Sequence, residues 1–143
     1  MKVHESGRKL LRLAWALVLL HAAVGLAHLA AHRGEGVRVS ALANAYILLV
    51  IGLGPFLGLG LLHAGRREAG GAVLAATMAG ALLFGVWNHF IVVGPDHVLH
   101  LAAGPWRLPF QATAVLLVPL ELAGALAGLA ALRARPSESW LHP

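Results

Sequence analysis

The chain has no cysteine and only two methionines in 143 residues. Disulfides, thiolate nucleophiles and cysteine-based zinc sites are therefore excluded. The soft thioether ligands that hold Cu(I) are nearly absent as well. Charge is scarce: Asp, Glu, Lys and Arg make up 12% of the residues, against roughly 25% in a soluble domain. No basic run is interleaved with exposed aromatics, so nucleic acid is not an expected partner. Short zinc-protease or deaminase motifs and internal repeats are also missing. The chain is rich instead in apolar residues, at 59%, and in histidine, with nine copies.

The apolar residues gather into four stretches, at about residues 13–31, 40–62, 69–93 and 109–132, separated by short polar turns such as Arg33-Gly34-Glu35-Gly36. Each meets the need for about 20 apolar residues to cross a bilayer. Lipid cannot satisfy backbone polar groups, so each stretch is expected to be helical. The pattern predicts one domain over residues 1–143: an all-α, integral membrane four-helix up-down bundle, with the lipid bilayer as its surroundings. The basic start, the apolar run and Gly25-Leu26-Ala27 resemble a secretory signal, but we expect this segment to remain as the first span. Pro55 and Pro119 are expected to bend their helices, and Gly54/Gly58, Gly124/Gly128 and Gly80/Gly85 to let helices approach closely. Trp15, Trp87, Trp106 and Trp140 fall near the expected interfaces.

Lysine and arginine set the orientation. With the N-terminus inside, eight (Lys2, Arg8, Lys9, Arg12, Arg66, Arg67, Arg133 and Arg135) lie on the inner side, against three (Arg33, Arg38 and Arg107) on the outer side. That asymmetry predicts both termini in the cytoplasm, most simply in a bacterial inner membrane.

Depth can be counted at about 1.5 Å per helical residue. His28, Asn44 and His89, on three different spans, then share one level roughly 10 Å outward of the bilayer centre, with Asn88 adjacent. His21 and Glu121 fall together near the centre, where a carboxylate is costly unless protonated or paired. Beyond the third span, Gly94-Pro95 breaks the helix. Residues 95–103 read as a short interfacial helix, on which Asp96, His97 and His100 can share a face. Folded down, that helix would cap the bundle over His28 and His89.

Imidazole and carboxylate without sulfur suit a transition metal such as Fe, Zn or Cu(II). The candidate ligands are His28, His89, Asp96, His97 and His100, with His32 as a spare and Asn44, Asn88 and His21 in support. His4, His63 and His142 read as interfacial residues. The leading functional expectation is a membrane metalloprotein, either an enzyme or a redox protein, acting on a lipophilic small molecule with Glu121 or Asp96 as general base. A second expectation is a haem b electron carrier ligated by His28 and His89, with Gly25 and Gly85 leaving room for the ring. A third is a non-catalytic subunit or proton/metal relay within a homo-oligomer or larger membrane complex.

Overall fold

The structure, a computed structural model, describes residues 2–134, with side chains from residue 7 onward. The side chains of Lys2 and His4, together with Arg135, Trp140 and His142, lie outside the described residues. Four long helices carry the described chain: α1 (Lys2–Gly34), α2 (Ala41–His63), α3 (Arg67–Ile91) and α4 (Arg107–Arg133). All four are long and apolar enough to cross a membrane, and no strand occurs among the described residues.

Local chemistry sets the helix ends. Ser40 caps α2, its hydroxyl accepting the Ala43 N–H at 3.1 Å, which satisfies one of the donors left free at a helix start. Gly36 and Gly65 take positive φ, at 69° and 76°, in the connections after α1 and α2, a conformation that glycine adopts without steric penalty. In α2, Pro55 has no N–H to offer the carbonyl of Ile51, and residues Ile47–Leu53 form the wider turn of a π-helix. A second π turn, Trp87–Ile91, ends α3. α4 runs unbroken through Pro119.

Packing divides the bundle along its length. At the end that holds the α2–α3 connection, Val18, Leu59, Leu74 and Met78 form a dry core with small residues around them. Glycines permit the close approach. A β-carbon on Gly58 would fall 2.8 Å from Leu74 N, and one on Gly128 only 2.4 Å from Ala75 N. α3 thereby packs tightly on both α2 and α4. Arg67 ties the same end together, donating to the carbonyls of Ala131 at 3.2 Å and Ala134 at 2.6 Å.

The other end is looser. Residues 41–53 of α2 bury no side chain, whereas Gly54–His63 buries five residues, Leu59 and Leu62 among them. α1 meets α2 chiefly through that second half. Here the α3–α4 connection folds onto the bundle. Val98 and Leu101 are buried with Ala31, Phe110 and Ala114. Gln111 donates to the carbonyl of Val98 at 2.7 Å.

The helix expected over residues 95–103 is not formed; the segment is a series of turns. Its amides bond three residues back, as in His97 N–H to Gly94 O at 3.1 Å, or reach into α3, as in Val98 N–H to His89 O at 3.0 Å. Nine residues are too few to sustain a helix alone. Here the exposed carbonyls at the end of α3 offer the amides better partners.

Candidate metal centre

The spacing within α1 builds the first half of the site. His28 and His32 are i, i+4 and lie on one face, their ring centroids 4.7 Å apart. α3 supplies the second half through its terminal π turn, which carries His89. Such widened turns re-aim side chains and recur at functional sites. His28 and His89 are 7% and 6% exposed, and His32 is partly buried. One ring nitrogen from each of the three lies within 4.8 Å of the others, so the group could hold a metal ion. Phe110 on α4 packs against all three rings, at centroid distances of 4.7, 4.7 and 5.4 Å from His28, His32 and His89.

Hydrogen bonds assign the tautomers. The Thr113 hydroxyl donates to the carbonyl of Pro109 at 2.7 Å, so toward His28 Nδ1, 2.8 Å away, it acts as acceptor. Nδ1 of His28 therefore carries the proton. His89 Nδ1 lies 3.0 Å from the carbonyl oxygen of Asp96, which only accepts, so this Nδ1 is protonated too. With both rings neutral, their Nε2 atoms would each present a lone pair, and they face each other at 3.1 Å. Two lone pairs at that distance repel unless a proton or a cation lies between them. Metal–nitrogen bonds of 2.0–2.1 Å in a tetrahedral site place ligand nitrogens about 3.3 Å apart, close to the His28–His89 spacing and tighter than the 4.8 Å within which all three rings gather.

Asp96 closes the site from the α3–α4 connection. Its Oδ1 lies 3.2 Å from His32 Nε2 and 3.4 Å from His89 Nδ1. Neither ring is aligned for a true hydrogen bond, which leaves this oxygen buried without one. The carboxyl thus sits within electrostatic range of both rings. Burial pushes the Asp96 carboxyl up, but the neighbouring rings, His89 above all, outweigh it and hold the carboxyl below the ordinary carboxylate range. A carboxylate behind the rings orients metal-binding histidines and raises their basicity.

A cavity of about 400 Å³ runs from these rings to a deeper polar pair, with Asn44 in its wall. At its floor His21 Nε2 lies 3.3 Å from Glu121 Oε1, both residues 3% exposed.

The other sequence-level candidates stand apart. His97 is buried, its Nδ1 accepts the Leu99 N–H at 3.2 Å, and its ring pairs with His100 at 4.8 Å. Neither ring joins the three-histidine group. Asn88 turns back to the Phe84 carbonyl at 2.8 Å, and Asn44 reaches Val39 O at 3.4 Å. His32, a spare in the sequence reading, is the third member. Its i+4 spacing from His28 was the available signal. Depth counting also puts Thr113 slightly above the level of His28, but only the packing of α4 on α1 makes it the acceptor behind that ring. Comparison of the chain with known protein families, curated proteins and solved structures finds no match.

Proposed function

We propose that this chain is an integral membrane metalloprotein, an up-down bundle in a bacterial inner membrane with both termini in the cytoplasm. Its His28–His32–His89 group then faces the periplasmic side and holds one transition-metal ion. The observation that carries this reading is the 3.1 Å approach of two Nε2 atoms whose Nδ1 protons are both engaged elsewhere. An all-nitrogen set with a nearby carboxylate suits Fe, Zn or Cu(II). A bound ion would supply Lewis-acid or redox chemistry toward a lipophilic molecule in the cavity below. Asp96 and Glu121 both line the cavity; Asp96 lies against the rings, so we assign the base to Glu121, at the floor where the lipophilic molecule would sit.

A haem b held by His28 and His89 would need room for its flat ring between the two imidazoles and would supply electron-transfer chemistry. The observed 3.1 Å and the packing of Phe110 on both rings favour a single ion. Elemental analysis and an optical spectrum of the detergent-purified protein test the choice. The expected result is one metal per chain, no Soret band, and loss of the metal in His28→Ala and His89→Ala. A Soret band would replace this reading with the haem carrier. Absence of both metal and haem would leave the chain as a non-catalytic subunit.

A further inference from the structure

The cavity has a chemistry separate from the metal group above it. Gly25 precedes His28 by three residues and Gly85 precedes His89 by four, so each bares backbone about one turn beneath a ligand ring. A β-carbon on Gly25 would meet nothing within 4 Å. One on Gly85 would meet only Glu121 Oε2 at 3.8 Å and His89 Cδ2 at 4.0 Å. Helix packing does not require these glycines, in contrast to Gly58 and Gly128. They leave a slot open, and the carboxylate and the His89 ring face each other across the width of one missing side chain.

The floor of the slot carries an unspent acceptor. Glu121 directs Oε1 to His21, and no hydrogen bond among the described residues engages Oε2. The walls include Ile47, Phe84, Leu117 and Val118. α1 and the half of α2 that buries nothing both line the slot, and α1 meets α2 chiefly through the other half, so their seam is the route to lipid in the proposed topology. Its volume of about 400 Å³ lies within the roughly 300–1,000 Å³ of small-molecule pockets.

Building on the metalloprotein reading, we infer that this slot binds a flat, lipid-soluble phenol or quinol ring that enters from the bilayer. The ring lies along Gly25 and Gly85 beneath His28 and His89, and its hydroxyl donates to Glu121 Oε2. A saturated alcohol could donate to the same oxygen, but its flexible chain does not match a slot bared on two sides by Gly25 and Gly85 and loses more rotamer freedom on entering it than a rigid ring does. At the floor an anionic head group would meet the Glu121 carboxyl; the cationic lining residues, Arg33 and Arg38, lie at the other end of the cavity, Arg33 about twelve residues along α1 from His21 and Arg38 beyond the end of that helix. A neutral hydroxyl on a planar ring meets both the shape and the acceptor.

The test uses the metal-loaded full chain in detergent, titrated with para-decylphenol, hexadecanol and hexadecanoate, with metal content measured in the same samples. The expected result is one saturable phenol site per chain, at least about tenfold tighter than either saturated amphiphile, the scale on which shaped pockets discriminate. Gly25→Leu fills open space and should weaken phenol binding by about tenfold or more while metal content stays the same. Gly85→Ala, whose added carbon makes only ordinary contacts, should weaken it less. Equal binding of all three amphiphiles, or no effect of Gly25→Leu, would overturn the inference. Metal without phenol binding overturns this inference alone, whereas phenol binding without metal overturns the metal reading alone.

Discussion

His28 and His89 stand nitrogen to nitrogen at 3.1 Å although 61 residues separate them in the chain. Each ring is held from behind, His28 by the Thr113 hydroxyl and His89 by the Asp96 carbonyl. The two supports leave the Nε2 atom of each ring turned toward the other, where both could be offered to one ion.

Removing the support behind His28 should therefore weaken metal binding without touching a ligand. Thr113→Val deletes the acceptor, lets the ring turn or change tautomer, and should lower affinity by about 10–100-fold. Thr113→Ser keeps the hydroxyl and should stay close to the parent. Asp96→Ala retains the backbone carbonyl that His89 uses and loses only the carboxylate, so its loss should fall near about tenfold. Competition against a chelator of known affinity measures all three. Equal affinities for the serine and valine variants would contradict the tautomer argument.

Acidification should release the metal in a defined order. Three imidazoles must be proton-free at their ligating nitrogens, so metal binding and protons compete. Asp96 acts lower. Its carboxyl is held below the ordinary value, so its contribution to stability is complete above about pH 4 and is lost as pH falls through the depressed folded value. Metal retention followed from pH 8 downward should thus decline while Asp96 is still ionised, and Asp96→Ala should shift that decline toward higher pH. Retention unchanged down to pH 4 would argue against imidazole ligation.

Glycine substitutions should separate packing from open space. A β-carbon on Gly128 meets Ala75 N at 2.4 Å, whereas one on Gly60 meets nothing within 4 Å. Gly128→Leu should cost at least about 1–3 kcal/mol through overpacking. Gly60→Ala should be neutral, or stabilising by up to about 1 kcal/mol through helix propensity. Thermal unfolding of the two variants in detergent gives the comparison.

The absence of cysteine makes the proposed topology directly measurable, because single thiols can be introduced without background. Ala64 and Ala102 are both exposed, in the connections after α2 and α3 respectively. A membrane-impermeant thiol reagent applied to intact cells should label the Ala102→Cys variant and spare Ala64→Cys until the cells are opened. The reverse pattern would invert the orientation and place the metal group on the cytoplasmic side.

The sequence by itself determined the four apolar helices, because chain-length hydropathy and the scarcity of charge leave no other way to satisfy the backbone in an apolar surround. It also placed His28 and His89 at one level and His21 and Glu121 at another, because helical rise converts residue number into depth. It could not say which way each side chain turns. Only the tertiary structure decided that His32 joins the group while His97 and His100 pair with each other. That outcome depends on the π turn at Trp87–Ile91 and on a connection that forms turns in place of a helix. Asp96 reaches the rings through that same connection, its position set by Val98 and Leu101 burying themselves against α1 and α4. Such docking is a property of contacts between distant segments, which no local pattern records.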